Sequence, residues 1–194
     1  MSEPVREVTV DVPEWVESVA DWDHPYQSDD DRMALAVALA RENVDRGTGG
    51  PFGAAIFTGD GRLVAVGVNS VVRLVNCALH AEMVAFMLAQ RRAGSFTLAA
   101  PGMQDHELFT SCEPCAMCLG AALWSGVTRV VYAALGEDAR ELGFDEGPVF
   151  AESHQYLRSR GIRLERGPRR DEARQVLGRY QALAGPVYNR KPGA

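Results

Sequence analysis

The sequence contains few cysteines, only Cys77, Cys112, Cys115 and Cys118 in 194 residues. Four thiols, three of them close together in the chain, are too few and too clustered for a disulfide framework. In a reducing compartment, closely spaced cysteines are typical of metal-binding or catalytic sites. The clustering of these residues therefore bears on function more than their number does.

The sequence also lacks a long apolar run. No stretch approaches the roughly 20 apolar residues that a membrane-spanning helix requires. The N-terminal segment is acidic and lacks the charged-then-apolar pattern of a signal peptide. We therefore expect a cytoplasmic protein with no membrane partner. Hydrophobic residues still make up 46% of the chain, which is enough to fill the core of one domain of this length.

An excess of basic charge is missing as well, because the net charge is −6. This balance disfavours a nucleic-acid partner held by phosphate contacts, so none is expected. The charge is unevenly distributed: residues 1–31 carry ten acidic groups against one arginine, and residues 155–194 carry ten basic groups against three acidic ones. The simplest interpretation is an acidic flexible arm and a solvated helix face.

The chain divides into an N-terminal extension, 1–27, and a domain with a C-terminal tail, 28–194. Ser28 followed by Asp31 can cap a first helix. The stretch 135–150 has a composition typical of a functional loop. The predicted order, α-β-β-α-β-α-β-α-β-α, indicates an α/β fold with a mixed five-stranded sheet between helices. Its elements are a hairpin around 58–61, helices over 78–94, 114–124 and 171–184, and strands over 106–111, 128–135 and 162–167.

Two motifs carry the chemistry, His80-Ala81-Glu82 and the Pro-Cys-Ala-Met-Cys run that ends at Cys118. Each stands at the start of a predicted helix, where the helix dipole and free amides lower the pKa of a cysteine. Cys115 and Cys118 are three residues apart and so share one helix face. With His80 they give three ligands for Zn²⁺ and leave a fourth position for water or hydroxide, which is the mark of a catalytic zinc site.

Glu82 lies two residues beyond His80, where it can stand beside the bound water as the general base and acid. This arrangement is the H-x-E…P-C-x-x-C signature of zinc nucleobase deaminases. The alternatives are a structural zinc knuckle and an iron–sulfur cluster on Cys112, Cys115, Cys118 and Cys77, but the cluster leaves His80 and Glu82 unexplained. With zinc, Cys77 and Cys112 are interpreted as ordinary buried thiols.

From about Asp29 to Asn189 the chain resembles the cytidine deaminase-like superfamily and, within it, bacterial guanine deaminases. The resemblance therefore implies a three-layer α/β/α cytidine deaminase-like fold. The stretch around the two zinc cysteines is shared with tRNA adenosine deaminases and fungal-type cytosine deaminases, and the GFDE segment favours guanine. The landmarks are GGPFGA (49–54), Asn69, HAE (80–82), TSCEPCAMCLGA (110–121) and GFDEGP (143–148).

The resemblance implies roles for further residues. Glu146 would read the guanine edge and shuttle protons, although many members carry Asp at this position. Asn69 would hydrogen-bond the purine ring, and the backbone amide of Ala81 would face the base. Three aromatic residues would complete the pocket. They are Phe52 and Trp124, which match pocket positions, and Tyr188, which would close the pocket from a C-terminal segment exchanged in a homodimer.

Each of these residues also has a plain structural interpretation. Phe52 and Trp124 could be core residues, Asn69 could serve a turn, and Glu146 could be a solvated charge. The expected function is zinc-dependent deamination of guanine at C2 to xanthine and ammonia. Other substrates within this chemistry are cytosine, a guanosine-type nucleoside and an ammeline-like triazine. The remaining alternatives are a tRNA-editing adenosine deaminase and a non-catalytic metal-binding module.

Overall fold

The computed structural model describes residues 6–189 and contains six α-helices in that range. A short 3-10 helix, Glu14–Ser18, precedes them. Among residues 6–189, no helix is long and apolar enough to cross a membrane. The α-helices are α1 (Asp29–Asp45), α2 (Ala81–Ala93), α3 (Ala116–Ser125), α4 (Gly136–Glu141), α5 (Ala151–Ser159) and α6 (Arg170–Ala182).

A five-stranded sheet lies between the helices, in the order β2-β1-β3-β4-β5. β1 pairs antiparallel with both β2 and β3, whereas β3, β4 and β5 are parallel. The sheet is therefore mixed, and the predicted α/β class with five strands is confirmed. The strands are β1 (Gly53–Thr58), β2 (Leu63–Val68), β3 (His106–Cys112), β4 (Arg129–Ala134) and β5 (Arg163–Arg166).

Both faces of the sheet are buried, because the side chains of each strand alternate between two hydrophobic clusters. On β1, Phe57 enters the cluster beneath α1 and α6, and its neighbour Ile56 enters the cluster on the opposite face, with α2 and α3. On β3 the same alternation places Phe109 in the first cluster and Leu108 in the second. Helices are thus required on both sides, which gives the three-layer arrangement.

Helix α1 begins where the sequence predicts. The Ser28 hydroxyl accepts a hydrogen bond from the Asp31 amide at 3.1 Å, which satisfies one of the free amides of the first turn. The predicted end of the second helix is also confirmed, because Gly94 terminates α2 in the left-handed conformation at φ 62°. Glycine adopts this conformation without the steric cost that a Cβ would add.

The stretch 135–150 differs from the predicted loop. Its first part forms α4, and only the residues after Glu141 lack regular structure. The Asp138 carboxylate accepts a hydrogen bond from the Leu135 amide at 2.8 Å and pairs with Arg170 of α6. This local cap, together with the contact to α6, stabilises a short helix that composition alone did not reveal.

The N-terminal extension is packed against the domain in its described part. Val16, Ala20 and Tyr26 are buried in the cluster beneath α1. The arm predicted to be flexible therefore contributes core side chains between residues 16 and 26. These side chains share the core of the domain that follows. The boundary at residue 27 therefore remains a prediction.

Candidate metal centre and pocket

Three predicted metal ligands converge at the N-termini of two helices. His80 and Cys115 are the residues that precede the first turns of α2 and α3, and Cys118 lies in the first turn of α3. The two sulfurs are 3.6 Å apart, and His80 Nδ1 lies 3.5 Å from Cys115 Sγ and 3.8 Å from Cys118 Sγ. No other residue in the described chain contributes to this group of metal-ligating atoms.

These separations fit a zinc ion. With Zn–S bonds of about 2.3 Å and a Zn–N bond of about 2.0 Å at tetrahedral angles, the donor atoms lie roughly 3.5 to 3.8 Å apart. At Cys115 the electrostatics favour the thiolate: its pKa falls to about 4, first because of its hydrogen bond with Cys118 and then, against the effect of burial, because of His80. A sulfur in this state binds metal without a cost of deprotonation near neutral pH. The same hydrogen bond, together with burial, raises the pKa of Cys118 above its usual value, so Cys118 loses its proton on binding the metal.

The iron–sulfur alternative is disfavoured by the placement of the other two cysteines. Neither Cys77 nor Cys112 belongs to the converging group. Cys112 is buried, as predicted, and burial raises the pKa of its thiol well above the usual value. Cys77, in contrast, is exposed, so its interpretation as a buried thiol is wrong. It lies in the connection between β2 and α2, outside both hydrophobic clusters.

Glu82 lies against the metal ligands, as the motif predicts. Its side chain is buried, with one carboxylate oxygen 3.4 Å from Cys118 Sγ. The other oxygen accepts a hydrogen bond from the Thr110 hydroxyl of β3 at 3.2 Å. Burial, followed by the nearby charge of Cys115, raises the pKa of Glu82 above its usual value. The Glu82 carboxylate therefore lies beside the three metal ligands and is not one of them.

Glu146 is also buried, with 8% of its surface exposed. It follows α4 in the GFDE segment, and its backbone carbonyl accepts a hydrogen bond from the Ala116 amide at the start of α3, at 3.0 Å. Burial, then the charges of Cys115 and Glu82, raises the pKa of the Glu146 carboxyl to about 8. The alternative of a solvated surface charge is therefore excluded.

Aromatic side chains form the wall of a small cleft at the site. Phe52, Phe144 and Tyr188 line it together with His80 and Glu146. Phe144 makes an edge contact with Phe52, with ring centroids 5.1 Å apart, and a tilted contact with Tyr188, with centroids 5.3 Å apart. Tyr188 therefore reaches the cleft from the C-terminal segment of its own chain.

Asn69 follows β2 and is fully buried. Its side-chain amide donates a hydrogen bond to the Tyr188 hydroxyl at 2.6 Å, and its backbone amide donates to the Phe52 carbonyl at 3.0 Å. Ala81 is the first residue of α2, a position whose amide has no acceptor within the helix. Both positions are compatible with the contacts that the resemblance implies.

Trp124 is not brought to the cleft of its own chain, because its side chain is 77% exposed. It lies six residues after Cys118 on α3. At 3.6 residues per turn, six residues rotate a side chain roughly 120° away from the face that carries Cys118. The alternative of Trp124 as a core residue is therefore wrong, and its role as a pocket residue stays a prediction.

Other contributors were missed in the sequence. Thr110, Phe144 and Glu113 all contact or line the site. Each lies within 110–121 or 143–148, the stretches that carry the cysteines and Glu146. Asn189 contacts the same loop as Glu146, through hydrogen bonds between its side-chain amide and the backbone of Asp145. No sequence pattern marks that contact, since it joins residues 44 positions apart.

A mixed sheet that presents His and two Cys ligands at two helix N-termini, with a Glu beside them, defines a zinc deaminase of the nucleobase type. The chain belongs to the cytidine and deoxycytidylate deaminase family, whose zinc-binding region matches residues 26–134.

Relatives with known activity refine this assignment. Guanine deaminase from Bacillus subtilis is 42% identical over 130 residues, which cover 67% of this chain and 80% of that protein. The structure of guanine deaminase from Nitrosomonas europaea is 36% identical, with a TM-score of 0.87 over 93% of this chain and 100% of that one. A similar structure, of a variant in complex with 8-azaguanine, is 36% identical, with a TM-score of 0.86 over 94% and 100%.

Proposed function

We propose that the protein is a guanine deaminase, which hydrolyses guanine at C2 to xanthine and ammonia. The observation that carries the proposal is the similarity to a guanine deaminase over nearly the whole of both chains, well beyond the metal region. A similar structure binds a guanine analogue, 8-azaguanine. The buried carboxylate of Glu146 in the GFDE segment supports the same substrate, because it can accept hydrogen bonds from the edge of a purine.

His80, Cys115 and Cys118 would hold one zinc ion per chain, with water or hydroxide as the fourth ligand. Three protein ligands and one exchangeable position are typical of catalytic zinc. When bound there, zinc supplies Lewis acidity that makes water a nucleophile near neutral pH.

Glu82 moves the protons of the reaction. One of its carboxylate oxygens takes a proton from the attacking water, and the water oxygen forms a bond to C2 of guanine. Glu82 then delivers that proton to the departing amino nitrogen, the C2–N bond breaks, and ammonia leaves. Glu146 assists by holding a proton at the edge of the guanine ring. Its burial, which raises the pKa of the carboxyl, supports this role, since a protonated carboxyl can donate as well as accept.

The base would lie between Phe52 and the residues at the N-terminus of α2. The side chain of Asn69 and the backbone amide of Ala81 would hydrogen-bond the ring, and Tyr188 would cover it. The contact between Asn69 and the Tyr188 hydroxyl supports a substrate-binding role for both, because guanine can replace either partner in that hydrogen bond. Trp124 has no part in this single-chain pocket.

We further propose that the protein is a homodimer of the cytoplasm, acting in purine catabolism. Support for a second copy comes from exposed apolar side chains on or beside α2, α3 and α5, including Phe96, Trp124 and Tyr156. Exchanged C-terminal segments would place the partner's copy of the tail where Tyr188 lies here. Free cysteines, with no disulfide among the described residues, are consistent with a reducing compartment.

Ammonia release from a panel of substrates tests the proposed specificity. The zinc-loaded protein should deaminate guanine with the highest kcat/KM, ahead of cytosine, guanosine and ammeline. A higher value for any of the other three would replace guanine as the substrate while retaining the deaminase chemistry. Deamination of tRNA with salt-dependent binding would instead favour an RNA-editing enzyme.

A further inference from the structure

The N-terminal segment, residues 11–18, is connected to the candidate pocket by a chain of side-chain hydrogen bonds. The Trp15 indole N–H donates to the Thr48 hydroxyl at 3.1 Å, and that hydroxyl donates to Asn43 Oδ1 at 2.7 Å. The Asn43 amide nitrogen then donates to two backbone carbonyls, those of Gly50 at 2.8 Å and Asn69 at 3.0 Å. We refer to these contacts as the Trp15–Asn43 relay.

The relay has only one workable direction. The indole can only donate, so the Thr48 hydroxyl must use its single hydrogen toward Asn43. Asn43 Oδ1 is thereby fixed as the acceptor, and its two N–H groups are left for the carbonyls of Gly50 and Asn69. Asn43 is fully buried, so breaking one of its contacts would leave a buried polar group unpaired, which is costly. Trp15 and Thr48 are only partly buried.

A second connection runs from the same segment to the residues after Asn69. The Arg73 guanidinium pairs with the Asp11 carboxylate at 2.8 Å and donates to the Asp11 carbonyl at 2.7 Å. It also donates to the Ser70 hydroxyl at 3.2 Å. The Asn69 carbonyl and the residues that follow it, Ser70 and Arg73, are therefore tied to the N-terminal segment.

Close packing leaves residues 49–52, which lead into the pocket, little freedom to move independently of these contacts. A Cβ on Gly49 would lie 2.0 Å from the Asn69 carbonyl oxygen and 2.7 Å from the Asn43 amide nitrogen. A Cβ on Gly50 would lie 3.0 Å from Asn69 Oδ1. Displacement of Asn43 would thus be transmitted to the loop that leads to Phe52 and to the side chain of Asn69.

We propose that the N-terminal segment is a positioning element of the guanine pocket, acting through the relay on Asn69 and on the Gly50–Phe52 loop. The inference rests on the proposed function, in which Asn69 and Phe52 contact the base. Trp15, Thr48 and Asn43 touch neither the metal ligands nor Glu82, so they set the affinity for the base and leave the chemical step unchanged. Trp15 lies outside residues 26–134, the part matched by the deaminase family model.

Kinetics of Thr48→Val and Trp15→Phe test this role. Thr48→Val keeps the shape of the side chain and removes the hydroxyl, and Trp15→Phe removes the indole N–H. Each should raise the KM for guanine and the Kd for 8-azaguanine about three- to tenfold, the range that one neutral hydrogen bond supports. The kcat and the zinc content should stay unchanged, and Thr48→Ser should restore the wild-type KM.

Thr58→Val is the matched control. The Thr58 hydroxyl accepts a hydrogen bond from the Arg62 amide at 3.1 Å, at the opposite end of β1 from the pocket. This variant should lower the melting temperature without raising KM or Kd. An equal rise in KM in Thr58→Val and Thr48→Val would show a general effect of destabilisation and overturn the proposal.

The double variant Trp15→Phe/Thr48→Val separates a relay from two independent contacts. If the relay acts as one unit, the double variant should have the KM of Thr48→Val alone, whereas multiplied effects would contradict the relay. Guanine turnover with the same KM in every variant would refute the positioning role alone. Absence of guanine turnover by the wild-type protein would refute the proposed function, and this inference with it.

Discussion

Cys115 and Cys118 occupy different positions at the start of α3, and this difference matters for the metal. Cys115 precedes the first turn and has extended backbone angles, while Cys118 is within the helix. The three-residue spacing brings both sulfurs to one side, where His80 approaches from the start of α2. The donor group therefore depends on single side chains that no neighbouring cysteine can replace.

At the scale of single residues, Cys115→Ala should lose zinc and lower the melting temperature, since metal binding is coupled to folding. Elemental analysis and thermal unfolding measure the two effects. Cys77→Ala is the control, because the exposed Cys77 thiol lies outside the donor group, and it should keep one zinc per chain. Stoichiometric zinc in Cys115→Ala would contradict the ligand assignment.

Thr110→Val should lower kcat about tenfold and leave the KM for guanine unchanged. The Thr110 hydroxyl donates to Glu82 and nothing places it against the base, so its loss misorients the carboxylate that moves protons. One hydrogen bond to a charged group accounts for a change of this size. Steady-state kinetics measure it, with Thr110→Ser as the variant that should recover activity; an unchanged kcat in Thr110→Val would refute the role.

At the scale of elements, ion pairs attach α1 to the sheet at the ends of the strands far from the metal centre. The Arg129 guanidinium on β4 pairs with Asp29 at the start of α1, with Glu107 on β3 and with Glu165 on β5. The buried Arg32 of α1 also pairs with Glu107, at 2.7 Å. These contacts fix α1 against β3 and β4, and α1 in turn carries Asn43 toward the pocket.

Asp29→Asn should therefore destabilise the protein at neutral pH by about 0.5–1 kcal/mol, a modest value because the Asp29 carboxylate is partly exposed. The hydrogen bond from Arg129 lowers the pKa of Asp29 in the folded state below its usual value of 3.8. The ionised form is thus favoured by folding, and its contribution is complete above the unfolded-state pKa.

The expected difference in the free energy of unfolding between wild type and Asp29→Asn is constant near neutral pH. It should decrease as the pH falls below about 4 and disappear once the pH passes the lowered folded-state pKa of Asp29. Urea unfolding at a series of pH values measures it. A difference that grows toward acid pH would contradict the assignment of this ion pair.

At the scale of the whole molecule, periodicity and caps were sufficient to predict the five strands and most of the helices. The hydrophobic alternation of β1 and the Ser28 cap of α1 are local features, so they can be read from neighbouring residues. Helix α4 was missed because it is short and because one of its two stabilising contacts joins Asp138 to Arg170, 32 positions away. Contacts of that kind appear only once the chain is folded.

In the candidate site, too, residues at short spacings were predictable and contacts between distant residues were not. His80, Glu82, Cys115 and Cys118 were predictable because the zinc chemistry requires those residue types at short, fixed spacings. The exposure of Trp124 was not predictable, because the resemblance matches its position in the sequence and not the helix face on which it lies. The Trp15–Asn43 relay joins parts of the chain that are distant in sequence, so no motif could indicate it.

The most direct test of the account is ultraviolet-monitored turnover of guanine by the purified, zinc-loaded protein, with Glu82→Gln measured beside it. The account predicts conversion to xanthine by the wild type. It predicts a Glu82→Gln variant that retains one zinc per chain and loses activity by at least about a hundredfold, the lower range for a general acid–base residue. No conversion of guanine by wild-type protein that holds zinc would contradict the proposed function, and full activity of Glu82→Gln would contradict the role of Glu82.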